Sequence, residues 1–371
     1  MTWLKKIGIC SALSLCVAAA QGQIFVGQTA GFSGAVAAGV KETTDGAKLY
    51  INAVNAKGGV NGQKIELLSL DDKFEPKLAA ENARILIEEK NVVAMFLTRG
   101  TPHTQAMLPL LDKYSVPLIG PSTGAMVLHQ PVKKHVFNVR ATYQREAEKA
   151  MLHLSTLGIK RIALVYQDDS FGEDGVIGAQ KGLKEAKLTA AAVEKFDRAK
   201  PDFSKIIPKI IATDTQAMLI IGSGSAVFSG LTALRAAGSG AQLVTLSNNA
   251  SGGFIKSLGN SARGVVVTQV FPNERAISYS FVKEAQDLVR GLKEPTELSP
   301  AMLEGFAAAK VLVEALKRSS PNPNRVKLQA ALENMTKFDL GGLEISFSAT
   351  DHTGLDFADL SIIDSVGKFR R

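Results

Sequence analysis

Ile24-Phe25-Val26-Gly27-Gln28-Thr29-Ala30, an amphipathic run over 41–55, and then Lys64-Ile65-Glu66-Leu67-Leu68-Ser69-Leu70 carry the first structural signal in this chain. The two short apolar runs read as strands, and the longer stretch between them as a helix with one buried face. A strand, a helix and a second strand in that order pair in parallel through a right-handed crossover. The alternation continues with a helix over 76–89, a strand over 92–97, a helix over 104–113 and a strand over 116–119. It then starts again, with strands over 161–166, 189–195, 217–221 and 242–246 separated by helices over 172–186, 202–212 and 226–237. The fold class is therefore α/β, with two doubly wound (Rossmann-like) units in tandem.

Other segments break the rhythm. A short strand over 137–140 lies where the first unit ends, and an apolar strand over 264–271 runs into Pro272. Helices over 278–291 and 300–318 follow, and then short strand candidates over 343–347 and 359–364. If the late helices return to the first unit, the chain crosses between lobes more than twice. Such crossings place a cleft between the lobes, where doubly wound sheets present the carboxyl ends of their strands to a ligand.

Composition narrows the function. At roughly 150 residues per domain, 371 residues make two domains, each able to bury a core. The 43 Lys+Arg against 35 Asp+Glu leave +8, but the cations are spread along the chain with acids nearby, as in Lys181-Gly182-Leu183-Lys184-Glu185. A nucleic-acid footprint needs a clustered basic stripe with aromatic platforms, so no nucleic-acid partner is expected. Lys5 and Lys6 precede an uncharged stretch over 7–20 that ends Ala18-Ala19-Ala20, small residues of the kind a signal peptidase reads. Residues 1–20 are accordingly expected to be an export signal. No later stretch is long and apolar enough to span a bilayer, so the remaining chain is expected not to be membrane-spanning. Both cysteines, Cys10 and Cys16, fall inside that leader, which leaves no thiolate chemistry and no disulfide to the remainder.

Few motifs suggest chemistry. Gly120-Pro121-Ser122-Thr123-Gly124 matches G-x-S-x-G after a strand, and a serine hydrolase using Ser122 is one reading. Pro121 suits an elbow poorly, and His352 is the only late histidine. Gly222-Ser223-Gly224 opens like a dinucleotide fingerprint but has Val227 where the third glycine belongs. The histidines show no metal-ligand spacing, and Asp71-Asp72 and Asp168-Asp169 read as caps and loop acceptors at strand ends. No cofactor and no metal are expected. What remains is a set of small polar loops at strand ends, Gly31-Phe32-Ser33-Gly34, Arg99-Gly100-Thr101-Pro102-His103-Thr104 and Gly120–Gly124. Glycines admit close backbone approach, and hydroxyls with helix-start N–H groups suit a carboxylate.

A family resemblance covers nearly all of the chain beyond the leader. Residues 28–40, Asp45-Gly46-Ala47 and Ile51-Asn52-Ala53-Val54-Asn55-Ala56-Lys57-Gly58-Gly59-Val60-Asn61-Gly62 resemble the opening of the type I periplasmic binding proteins of the leucine/isoleucine/valine-binding class. The likeness continues through 117–124, Phe137-Asn138-Val139-Arg140, Asp169-Ser170-Phe171-Gly172 and Glu304-Gly305-Phe306. It implies two lobes joined by three hinge crossings, the first over 24–140 plus 272–347 and the second over 141–271 plus 348–371. It also implies a soluble periplasmic receptor that closes on a small-molecule carboxylate and presents it to ABC importer permease subunits, making and breaking no bond.

The resemblance assigns residues as well. Thr101, flanked by Arg99 and Gly100, matches the hydroxyl that receives the ligand carboxylate, and Ser122, Thr123 and Gly124 match the loop that completes the cradle. Phe171 falls where the family places an aromatic wall from the second lobe, and Tyr143 offers a second ring or a phenol donor. Gly224 and Ser225 fall near another family aromatic, and Asn248 and Asn249 near the acid that pairs with a ligand's α-ammonium. These last are departures. Without that acid an ammonium loses a charge-assisted partner of roughly 1.5–3 kcal/mol, while Arg99 adds a cation. The expected ligand is a carboxylate lacking an ammonium, such as an aromatic or other organic acid. A hydrophobic amino acid stays open, with Glu274 or Glu304 as the alternative acid. A ligand-sensing receptor module remains the other non-enzymatic reading.

Overall fold

A computed structural model describes residues 22–371; the expected leader lies outside the described residues. Five parallel strands form the first sheet, in the order β2-β1-β3-β4-β5. They are β1 (Ile24–Ala30), β2 (Ile65–Asp71), β3 (Ala94–Phe96), β4 (Leu118–Ile119) and β5 (Val136–Phe137). The second sheet contains β6 (Ile162–Gln167), β7 (Ala192–Phe196), β8 (Ala217–Ile221), β9 (Gln242–Thr245), β10 (Val266–Gln269), β13 (Asp359–Ile363) and β14 (Phe369–Arg370). Its order is β14-β13-β10-β9-β8-β6-β7, parallel except where β13 and β14 join antiparallel. A small hairpin of β11 (Phe338–Asp339) and β12 (Glu344–Ile345) stands apart.

Helices cover these sheets: α1 (Ala37–Ala56), α2 (Pro76–Arg84), α3 (Thr101–Tyr114), α4 (Tyr143–Thr156), α5 (Ser170–Glu185), α6 (Ile206–Ala212), α7 (Ser225–Ala236), α8 (Gly252–Leu258), α9 (Ser280–Arg290), α10 (Pro300–Arg318) and α11 (Arg325–Glu333). The late helices do return to the first sheet: Phe281, Phe306, Leu312 and Leu328 share one core with Val26, Phe96 and Ile119. The chain thus passes between lobes after β5, after β10 and after β12.

Three local differences from the sequence reading have physical causes. The helix expected over 104–113 starts at Thr101, because Gly100 turns the chain at φ +94° and Pro102 fits a first helical turn. Thr101 is therefore a helix-start residue. The helix expected over 76–89 is α-helical only to Arg84 and widens into a π turn over Ile85–Glu89. Helix α4, absent from the sequence reading, begins where Thr142 Oγ1 accepts the Arg145 N–H at 3.1 Å.

Helices α1 and α10 approach as closely as two backbones can. A Cβ on Gly305 would stand 1.7 Å from the Thr43 carbonyl oxygen, and one on Gly46 2.0 Å from that of Met302. Gly305→Ala is expected to force the helices apart and lower unfolding stability by about 1–3 kcal/mol, measurable by urea titration. Unchanged stability would mean that the two helices are free to separate.

Candidate functional site

The first lobe contributes the ends of β3 and β4 and the start of α3. Arg99 and Ser122 form an isolated parallel bridge, and the Ser122 N–H donates to Thr98 C=O at 2.7 Å. The Arg99 guanidinium, 6% exposed, points into the gap between lobes. Its Nη1 donates to Ser122 Oγ at 2.9 Å and its Nη2 to the Asn248 carbonyl at 2.6 Å, which lies in the other lobe. Thr101 and Thr123 share a hydroxyl hydrogen bond of 2.7 Å.

From the second lobe, Phe171 packs edge-on against Tyr143 with ring centres 4.8 Å apart. Asp169 caps α5 by accepting the Phe171 and Gly172 N–H groups, and its other oxygen accepts Arg198 Nη1 at 2.8 Å. So held, Arg198 crosses the gap: its guanidinium sits 4.4 Å from the Phe74 ring centre, and Phe74 stacks at 4.4 Å on His103. Further contacts join the lobes. Ser170 Oγ donates to Gln105 Oε1 at 2.6 Å, and Glu42 accepts the Gly252 and Gly253 N–H groups at 3.0 and 2.7 Å.

Arg99 stands between two spaces where the lobes meet. On one side is a chamber of ≈ 250 Å³ lined by Val36, Gly39, Phe228, Asn248 and Phe254, among others. On the other, Phe74, Thr101, Tyr143, Phe171 and Arg198 surround a space of ≈ 10 Å³. A larger concavity, ≈ 1280 Å³, is a different, open groove that includes Lys41, Glu274, Glu297 and Lys368. Its charges neutralise one another, as in the Lys368–Glu297 and Lys41–Asp45 pairs, and none of the polar loop residues picked out in the sequence reaches it.

Of the sequence candidates, Arg99, Gly100, Thr101, Tyr143, Phe171 and Asn248 meet at this gap. Ser122 lies behind Arg99, and Thr123 supports Thr101. Gly124 has a packing role, since a Cβ there would stand 2.6 Å from the Ala141 carbonyl. Asn249 lines the chamber, but its amide is engaged by Gly222 C=O, Thr245 Oγ1 and the Gly224 N–H. Neither alternative acid reaches the gap. Glu274 lines the open groove, and Glu304 lies 3.7 Å from Arg140 in the buried cluster Arg140–Glu146–Glu304. Sequence reasoning missed Phe74, Gln167, Arg198 and Ser223. For Arg198 a signal existed, a cation in the loop just past a second-lobe strand.

The nucleophile-elbow reading of Ser122 finds no support. Its hydroxyl takes a hydrogen bond from Arg99 rather than giving one to a histidine. His352 contacts the Lys133 and Val136 carbonyls and stacks on Phe137. His103 is held neutral: burial, and after it the Arg198 and Arg99 charges, pushes it down to about 3. Between pH 6.5 and 3 the unfolded chain takes up a proton at this ring that the folded chain refuses. Acidification in that window therefore costs stability at up to about 1.4 kcal/mol per pH unit. His103→Gln is expected to flatten the stability–pH curve there by that slope; parallel curves for the two proteins would contradict this.

Two α/β lobes that meet over a half-open chamber beside a buried arginine have the architecture of a solute-binding protein. Residues 23–358 match the profile of the family described as periplasmic binding proteins, and the chain belongs to that family. It is 25% identical over 263 residues to the Leu/Ile/Val/Thr-binding protein of Salmonella typhimurium, covering 70% of this chain and 71% of that one. It is 25% identical over 362 residues to the Leu/Ile/Val-binding protein homolog 7 of Brucella suis, covering 92% and 84%. Among solved structures, a substrate-binding periplasmic protein from Ralstonia solanacearum superposes with a TM-score of 0.86 at 29% identity, covering 94% of this chain and 99% of that one. Among the described residues no helix is long and apolar enough to cross a membrane.

Proposed function

We propose that this protein is an exported periplasmic receptor that binds a small carboxylate-bearing solute between its lobes and delivers it to the permease of an ABC importer. The lobes are assigned to 24–140 plus 272–347 and to 141–271 plus 348–371. The observation that carries the reading is Arg99, a buried cation that touches both lobes while hydrogen-bonded only to neutral groups. A carboxylate entering beside it gains a charge-assisted partner and contacts to both lobes at once, so it shifts the population toward the closed form. The role is non-enzymatic: the solute enters and leaves unchanged.

A thermal-shift screen of amino acids, keto acids and aromatic acids tests this. A cognate carboxylate at 100 times its Kd is expected to add about 2.7 kcal/mol of stability and to be recovered intact. Stabilisation by neutral or cationic solutes alone, or conversion of the solute, would refute it.

A further inference from the structure

We infer that the solute is an amine-free, ring-bearing carboxylate seated in the ≈ 250 Å³ chamber beside Arg99. The inference rests on the receptor reading above and narrows its ligand class. Charge is the first ground. Among the described residues Arg99 has no carboxylate within ion-pair distance, and its recorded acceptors are the Ser122 hydroxyl and the Asn248 carbonyl, both neutral. A buried guanidinium without a counter-charge carries an unrelieved desolvation cost, which an entering anion relieves. The chamber wall holds no acid. The carboxylate at its edge, Glu42, is already committed to the Gly252 and Gly253 N–H groups and to Ser299 Oγ. Asp169, across the gap, is paired with Arg198. A ligand ammonium placed here meets a like charge and no acid.

Size and lining are the second ground. A cavity of about 150 Å³ accommodates a benzene ring, and this chamber exceeds that. Val36, Phe228 and Phe254 supply apolar wall, and Gly39, whose Cβ would lie 3.9 Å from Arg99 Nη2, leaves the space over the guanidinium open. A third observation concerns Asn248. It is 7% exposed, and its Oδ1 is buried with no hydrogen-bond partner although the residue lines the chamber. That oxygen is a neutral acceptor, so it offers a ligand donor a hydrogen bond but no counter-charge.

Calorimetry with two matched pairs tests the inference: 3-phenylpropanoate against phenylalanine, and 4-methylpentanoate against leucine. Each pair differs only by the ammonium. The amine-free member of each pair is expected to bind at least tenfold more tightly, with the ring acid the tightest of the four. Arg99→Met is expected to weaken 3-phenylpropanoate by about 10- to 100-fold, and Arg99→Lys by less, since it keeps the charge. Phenylalanine or leucine binding as tightly as its amine-free partner, or Arg99→Met leaving the affinity intact, would overturn the inference while the receptor reading stands. No binding by any of the four would also overturn the inference, while the receptor reading is decided by the wider screen of amino, keto and aromatic acids.

Discussion

Arg140→Met is expected to destabilise the protein by about 3–5 kcal/mol, the cost of breaking a buried ion pair on one side only. Arg140 lies just past β5, at the first passage between lobes, and its side chain is 1% exposed. It pairs with Glu146 of α4, which is fully buried, and faces Glu304 of α10 at 3.7 Å. Its Nη2 also donates to Ser247 Oγ at 2.7 Å, while Glu146 accepts the Ser247 N–H at 2.9 Å and the Thr268 hydroxyl. Removing the guanidinium leaves two buried carboxylates without their counter-charge. The double variant Arg140→Met with Glu146→Gln is expected to recover a large part of the loss. Urea titration of the two variants measures both effects, and a cost under 1 kcal/mol for the single change would show that water reaches the cluster.

Gly253→Val is expected to act on closure instead. A Cβ on Gly253 of α8 would stand 2.6 Å from Ala38 Cβ of α1, a contact made only where the lobes meet. Gly224 shows the same restriction at φ +49°, with its Cβ 1.8 Å from the Ala35 carbonyl, but its backbone conformation also resists any side chain. Gly253 avoids that backbone restriction, and since it also lines the chamber, its side chain acts on closure and on chamber space together. Overpacking of this kind costs about 1–3 kcal/mol. Because the clash exists only in the closed form, that cost lowers the closed population and weakens solute binding by on the order of ten- to a hundredfold. Calorimetry and thermal unfolding together check this. Weakened binding with an unchanged unfolding midpoint of the solute-free protein is the expected pattern, and unchanged affinity would mean that the lobes close without this contact.

The parts of the fold that were legible are those whose burial is periodic. The strands over 24–30 and 217–221 and the helix over 300–318 match β1, β8 and α10 because continuous or one-sided apolar runs leave little choice of structure. Helix α4 was not legible. Its start, Tyr143-Gln144-Arg145-Glu146-Ala147-Glu148-Lys149, holds no apolar run to mark a buried face, yet Glu146 and Glu148 are buried. Only the fold supplies the Arg140 that makes burial of Glu146 tolerable. The site shows the same division. Arg99, Thr101 and Asn248 follow strand ends, where a doubly wound sheet presents its loops. Phe74 and Arg198 come from loops more than a hundred positions apart, and nothing local marks that they stack. Glu274 and Glu304 looked equivalent as acids, and only their positions, one in an open groove and one beside Arg140, separate them from the gap.

Small-angle X-ray scattering of the protein, recorded with and without saturating 3-phenylpropanoate, bears most directly on closure around an anion at Arg99. The account requires the radius of gyration to fall as the acid is added and to recover when the unchanged acid is dialysed away. Bound acid with an unaltered scattering curve, or acid consumed in the sample, would contradict it.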